Sequence, residues 1–370
     1  MPTRCPLIAL TMGDPAGVGP ELLVRAIHSP TPDPPAQLLL IACPETIRKA
    51  AALHGITNLP LTEIAWQNSA PDNFRRQIAA ALQQKRIPLC NPTLPNTTSI
   101  TPRTISAAAG DSAFRCLSLA ADLALSLHID AIVTAPLNKE ALHLAGHQYP
   151  GHTEILAERC GVTEFAMMLH LPDNALAPLR QLLLQHSPTT SLPTRHGLSI
   201  AHVTLHTSVA SVPGLLTPDS IAAAVRLMDH FLKSSGCQRR SIAVCALNPH
   251  GGEHGLFGDE EARIIEPALN SFAGLLNVRG PLPADTAIRR AVLGEFDGVI
   301  AMYHDQGHIP VKLIGFDAAI NITLGLPIIR TSPTHGTAFD IAWQPHSSLN
   351  PAGFIGAIQM AAQLTQDSSQ

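Results

Sequence analysis

The stretch FDGVIAMYHDQGHIPVKLIGFDAAINITLGLPIIR, residues 296–330, sets reactive side chains directly after apolar runs. DGVIAMY reads as a strand and stops at His304-Asp305-Gln306-Gly307. A second run, INITLGLPII, contains Asn321 and ends on Arg330, and Lys312 lies between the two. In open α/β folds, ligands sit just outside the carboxyl ends of strands. An imidazole at such a point can ligate a metal, and a carboxylate can take a proton. A guanidinium suits two-pronged capture of phosphate or carboxylate.

Two more histidines follow apolar runs. His206 closes LSIAHVTLH, and His250 follows SIAVCALNP and opens the turn Gly251-Gly252-Glu253. Three imidazoles with one open position suit a catalytic divalent metal. Neutral imidazole favours zinc, cobalt, nickel or iron over calcium. The chain has 18 histidines, and one histidine at a strand end is more often a structural hydrogen-bonding residue, so the reading rests on the coincidence of three. Asp285, in Gly280-Pro281-Leu282-Pro283-Ala284-Asp285-Thr286, precedes a helix pattern. It either caps that helix or carries a proton. Lys312 taken alone reads as a surface cation.

Two earlier turns join strands to helices. Gly13-Asp14-Pro15-Ala16-Gly17-Val18-Gly19-Pro20 is neither a dinucleotide fingerprint nor a P-loop, and reads as a tight structural turn. Gly151-His152-Thr153-Glu154 opens a helix. There Thr153 caps the helix, or His152 and Thr153 hold a phosphate or carboxylate at its N-terminus.

The elements that must position these residues alternate. PLIALTM, QLLLIAC, DAIVTAP, FAMMLHL, LSIAHVTLH, SIAVCAL and DGVIAMY read as buried strands, separated by longer helical patterns. That alternation predicts an α/β fold with a largely parallel sheet. Residues 171–197, rich in Pro, Ser and Thr, read as a surface insertion. The 370 residues, 45% hydrophobic, suffice for one large or two ordinary domains. A net charge of -4 and 4% aromatics argue against nucleic-acid binding. Seven scattered cysteines without a CxxC pair read as free thiols in a reducing compartment. No apolar run approaches the roughly 18 residues of a membrane span. A soluble, cytoplasmic protein is expected.

The motifs GDPAGVGPEL, TAPLNKE, GHTE, LNPHGGE, GPLPADT, YHDQGHIPVK, NITLGLPIIRTS and HGTAFDIA run through nearly the whole chain. In this order they resemble the 4-hydroxythreonine-4-phosphate dehydrogenase family of vitamin B6 (pyridoxal phosphate) biosynthesis. The resemblance implies two α/β/α subdomains with a cleft between them, as in isocitrate and isopropylmalate dehydrogenases. On this reading residues 1–135 with 316–370 form the first. Residues 136–315 form the second, carrying the metal histidines and much of the dimer contact. It also implies a homodimer whose sites use both subunits, NAD or NADP, and one divalent metal (zinc, cobalt or magnesium). His206, His250 and His304 match metal ligands. His152, Thr153, Lys312, Asn321 and Arg330 match substrate-binding positions. His335, Gly336 and Asp340, within THGTAFD, match the nucleotide-binding loop. Two departures stand out: the longer 171–197 segment, and Asn138 where some members carry histidine.

The implied substrate is 4-phosphooxy-L-threonine, oxidised at C3 and then decarboxylated to 3-amino-2-oxopropyl phosphate, with Asp285 or Lys312 as the base. Phosphorylated threonate or erythronate is a rival substrate, since phosphate, metal and carboxylate contacts are common to all three. A metal-dependent hydrolase or lyase is the rival reaction class.

Overall fold

The computed structural model describes residues 5–29, 35–67, 69–92, 100–185, 196–345 and 347–367. The chain forms two compact units, Met1–Thr163 with Leu326–Gln370, and Glu164–Gly325. The first unit begins with β1 (Leu7–Thr11), α1 (Gly19–His28), β2 (Gln37–Ile41), α2 (Pro44–Leu53), β3 (Leu61–Glu63) and α3 (Pro71–Gln83). It continues with β4 (Ile87–Cys90), α4 (Ala107–Leu125), β5 (Ala131–Thr134), α5 (Lys139–Leu144) and α6 (His152–Cys160). The second unit holds β6 (Ala166–Leu171), α7 (Asp173–Gln185), β7 (Leu198–His202), α8 (Val212–Leu215), α9 (Pro218–Ser234) and β8 (Ile242–Cys245). Then come α10 (Glu266–Asn270), β9 (Val278–Leu282), α11 (Ala284–Val292), β10 (Gly298–Ala301), α12 (His304–Gly315) and β11 (Ile320–Leu324). The chain returns to the first unit with β12 (Ile329–Pro333) and α13 (Ala352–Asp367).

In the first unit the strand order is β3-β4-β2-β1-β5-β12, with every pairing parallel. In the second it is β11-β6-β7-β10-β8-β9, where β6 runs antiparallel to both neighbours and the other pairings are parallel. All five residues of β1 and of β7 are buried, as are all four of β10, so these strands are covered on both faces. Proline in the first turn starts α1, α2, α3 and α9, where its missing N–H costs nothing. Ser106 and Asn138 cap α4 and α5 by accepting from Ala109 N and Ala141 N. Gly110 lets α4 and α5 touch, since a Cβ there would lie 2.0 Å from Ala141 O.

All seven expected strands form. The run INITLGLPII is two strands, β11 and β12, broken at Gly325. Three strands escaped the sequence pattern. β3 is only Leu-Thr-Glu, β4 contains a proline, and β9, Val-Arg-Gly-Pro-Leu, has little apolar signal. The segment read as a surface insertion is partly helical. Its first residues end β6 and then form α7, which packs against α12; residues 186–195 lie outside those described. The unit boundaries fall at 163/164 and 325/326, against 135/136 and 315/316 in the sequence reading. Helices α5 and α6 pack on α4 and so stay with the first unit, and β11 pairs with β6 and so stays with the second.

All seven cysteines are free thiols, and burial pushes Cys90 and Cys245 up to about 12, which keeps them inert. Among the described residues, no helix is long and apolar enough to cross a membrane.

Candidate functional site

The second unit gathers histidines. Strand β7 ends at His202, so His206 falls in the loop beyond it, exposed. His304 is the first residue of α12. Gln306 ties this helix start to two neighbouring strand ends. Its Oε1 accepts from Met302 N at 2.7 Å, and its Nε2 donates to Ala246 O at 2.8 Å. The His206 and His304 rings lie 5.8 Å apart, centre to centre. Both line a cavity of about 380 Å³ together with Thr207, Ser208 and Asp305. His304 Nδ1 is 2.6 Å from Asp305 Oδ1.

His250 does not join that pair directly. It lines an adjoining, larger cavity of about 750 Å³ in the same unit, which shares Tyr303 and Asp305 with the first and is otherwise lined by Asp285 and mostly apolar side chains. Among the described residues, no three His, Cys, Asp or Glu side chains of this single chain converge closely enough to hold a metal. His250 sits in a left-handed turn, with φ of +56° at His250, +43° at Glu253 and +56° at His254. Such backbone is costly for residues with a Cβ and persists where the surroundings fix it. Glu261 supplies the fixing. It is 4% exposed and begins a π-helical turn, Glu261–Ile265. Its carboxylate accepts from Leu247 N at 2.9 Å, Asn248 N at 2.8 Å and Asn248 Nδ2 at 3.0 Å.

Asp285 is the second residue of α11, exposed, accepting from Thr286 N at 2.7 Å; Pro283 holds the cap position. Lys312 is half-buried on α12, its ammonium 5.6 Å from the Phe316 ring centre. Asn321 on β11 has a buried Oδ1 without a hydrogen-bond partner.

The first unit holds the second cluster. Arg330 on β12 is 2% exposed and donates through Nε and Nη2 to Thr134 Oγ1 at the end of β5, at 3.2 and 2.7 Å. Burial lowers its pKa to about 10, with Glu154 pulling the other way, so the guanidinium stays charged at neutral pH. His152, the first residue of α6, donates from Nε2 to Ala135 O at 3.2 Å. Burial, then the nearby Arg330 charge, holds its pKa well below the ordinary value, so the ring is neutral. Thr153 makes no capping bond; Gly151 occupies the cap position. A charged guanidinium, a neutral imidazole and a helix N-terminus together favour an anion.

The loop with His335, Gly336 and Asp340 follows β12. It is laced to the glycine-rich first turn by Val18 N, which donates to Thr337 O at 3.0 Å, and to Arg103, whose Nε donates to Phe339 O at 2.8 Å and whose N donates to Ala16 O of that turn at 2.8 Å. Gly17 is required there, since a Cβ would lie 2.8 Å from Thr337 O. His335 Nε2 is buried with no hydrogen-bond partner, and the space beside Gly336 is open.

Sequence reasoning missed His202, His308 and Glu261, and gave Gln306 no role. His308 follows His304 by four residues, which on a helix puts both on one face. Their rings stack at 3.6 Å with an interplanar angle of 11°. His308 Nδ1 is 3.2 Å from His202 Nε2. Burial pushes His202 down to about 4 and His308 to about 3, so both rings are neutral.

Comparison with known proteins places the chain. The family model described as "Pyridoxal phosphate biosynthetic protein PdxA" matches residues 35–361. A D-threonate 4-phosphate dehydrogenase from Salmonella typhimurium is 42% identical over 91% of this chain and 92% of its own. A 4-hydroxythreonine-4-phosphate dehydrogenase from Geobacter metallireducens is 37% identical over 99% and 97%. The crystal structure of a 4-hydroxythreonine-4-phosphate dehydrogenase from Klebsiella pneumoniae superposes with a TM-score of 0.78 at 38% identity, covering 99% of this chain and 100% of that one. The chain belongs to the PdxA family.

Proposed function

We propose that this chain is a dehydrogenase, dependent on NAD or NADP and on a divalent metal, that oxidises the C3 hydroxyl of a four-carbon acid phosphorylated at C4. The observation that carries the reading is the buried, charged Arg330 beside His152 and the start of α6, a cradle suited to phosphate. A threonate 4-phosphate is the favoured substrate, because relatives at 39–42% identity bear that name. 4-Phosphooxy-L-threonine is the second reading, favoured by relatives at 37–39% identity.

Arg330, His152 and Thr153 hold the phosphate, while Lys312 and the unbonded Asn321 Oδ1 orient the carboxylate and hydroxyl groups. Asp285 or Lys312 takes the C3 hydroxyl proton. The loop of His335, Gly336 and Asp340 holds the nicotinamide dinucleotide, which supplies the hydride acceptor. The orphaned His335 Nε2 suits a polar ligand there. Loss of a proton and a hydride leaves a β-keto acid. That acid releases carbon dioxide, and the resulting enol regains a proton at the carbon that lost it. From threonate 4-phosphate the product is the phosphate monoester of dihydroxyacetone; from the amino substrate it is 3-amino-2-oxopropyl phosphate.

His206, His250 and His304 would hold the ion, which when bound supplies Lewis-acid stabilisation of negative charge developing at the C3 oxygen. The fit within one chain is partial, since His206 and His304 are neighbours and His250 lines another cavity. Pairing of two copies completes the set in this reading. The exposed Ile309 and Leu313 at the His250 cavity support such a dimer. Free thiols fit a reducing, cytoplasmic location.

The test is NADH or NADPH formation with each substrate, with and without a chelator. Chelator-sensitive turnover of either phosphate ester supports the reading. No turnover of either, with metal bound, moves the chain to the hydrolase or lyase class.

A further inference from the structure

We propose that His202 and His308 are positioning residues for His304, joined in a hydrogen-bond chain of one fixed tautomer. The proposal rests on the reading of His304 as a metal ligand.

The chain of bonds starts at a backbone carbonyl. His202 Nδ1 is 3.3 Å from Met167 O. A carbonyl oxygen only accepts, so His202 carries its hydrogen on Nδ1 and leaves Nε2 as an acceptor. That Nε2 is 3.2 Å from His308 Nδ1, which must therefore donate. His308 Nδ1 also lies 3.1 Å from His304 O, a second acceptor for the same hydrogen. The consequence is that His308 Nε2 carries a bare lone pair, and its ring is pinned by two acceptors. The pinned ring lies flat against His304 at 3.6 Å. Side-chain rotation of His304 is thereby limited on one face, while Asp305 holds its Nδ1.

The backbone is shaped for this contact. A Cβ on Gly307 would lie 2.3 Å from His202 Nε2. Only glycine lets the first turn of α12 settle over the end of β7 with the imidazole between them. Three separate features thus serve one geometry: a glycine on α12, a histidine ending β7 and a histidine one turn after His304. Partners that orient a ligating histidine typically change metal affinity about 10–100-fold when removed.

Two measurements on the full chain test this. The first is long-range proton–nitrogen NMR of histidine-labelled protein without metal, with His202→Gln and His308→Phe used to assign the two rings. Both rings are expected as Nδ1–H tautomers; Nε2–H on either one overturns the chain. The second is cobalt titration followed by its visible absorption. His202→Leu removes the acceptor, and His308→Phe keeps a stacked ring but removes the donor. Each is expected to weaken cobalt binding about 10–100-fold. His202→Gln restores an acceptor at the Nε2 position and is expected to bind within about threefold of the parent. A merely structural role would not separate Gln from Leu at equal melting temperature. Unchanged cobalt affinity in His202→Leu overturns the positioning role while leaving His304 as a ligand. No cobalt binding by the parent instead removes the ligand reading of His304, and the positioning role with it.

Discussion

Replacing Asp14 with asparagine tests whether the first turn is held by a carboxylate that has lost its water. Asp14 is 0% exposed. Its Oδ1 accepts from Ala16 N at 2.8 Å, but its Oδ2 is buried with no hydrogen-bond partner. Burial raises its pKa from 3.8 to about 6, the Ala16 bond opposing. The folded state therefore keeps this proton to higher pH than the unfolded state does. The sign follows from linkage: the contribution to stability is full below pH 3.8, declines as pH rises, and is gone above about 6. The gap between the two values corresponds to about 3 kcal/mol. The Asp14→Asn variant keeps the shape and the Ala16 contact but does not titrate at this position. Spread over a unit of about 200 residues, 3 kcal/mol shifts a melting temperature by roughly 6–12 °C. Calorimetry of both proteins at pH 4 and pH 7.5 reads the effect. The variant's melting temperature relative to the parent's should rise by that amount between the two pH values, other groups cancelling in the comparison. A relative change within about 2 °C would refute the claim that the turn holds a dehydrated carboxylate.

Arg330→Lys removes the planar fork that meets Thr134 and, in the proposed reading, phosphate. KM should rise about 10–100-fold with a smaller change in kcat, and an unchanged KM in steady-state kinetics counts against phosphate capture. His250→Ala should abolish metal-dependent turnover; full activity sinks its place among the ligands. Glu261→Gln sets an amide against the Asn248 amide and should destabilise residues 247–256 by about 2 kcal/mol, seen as faster hydrogen exchange there than in β8. Leu313→Asp places a charge on a side chain that is 84% exposed at the edge of the His250 cavity, and should shift the protein toward monomer in sedimentation; an unchanged mass removes this face from the dimer contact.

Much of the fold was legible because buried strands, six of these seven with a parallel neighbour and β6 with antiparallel ones, are short and continuously apolar, which marked β1, β2, β5, β6, β7, β8 and β10. Burial on both faces is what makes that signal strong. The edge strands β3 and β9 lack it, and β4, though mostly buried, is four residues interrupted by Pro88, so all three were silent. Strand ends were read too late, because VTLH prolongs the apolar pattern past His202, where strand β7 ends. That error hid His202 behind His206. Gln306 stood at the expected strand end as an amide, but spacing gave no sign that it clasps two backbone groups. Glu261 could not be found at all by spacing, since its partners lie 13 and 14 residues earlier on a different element. The motif resemblance reached Arg330 and His152 where local pattern left them open, and the fold brings these two together.

The second unit interrupts the first, and this orders events during synthesis. Strand β12 pairs with β5, and α13 packs on β12, β5 and β1. Thr331 also donates to Ala357 O at 2.8 Å, locking the last strand to the last helix. A nascent chain therefore completes residues 164–325 while its N-terminal sheet still lacks its sixth strand. The interrupting unit can close early because its ends already meet. Gly325 lies so near Glu164 that a Cβ would come within 2.4 Å of the Glu164 carbonyl oxygen. Until the final helix leaves the ribosome, the exposed edge of β5 is an open template for pairing with another chain. A premature stop near residue 326 thus leaves a sound second unit tethered to an aggregation-prone first one.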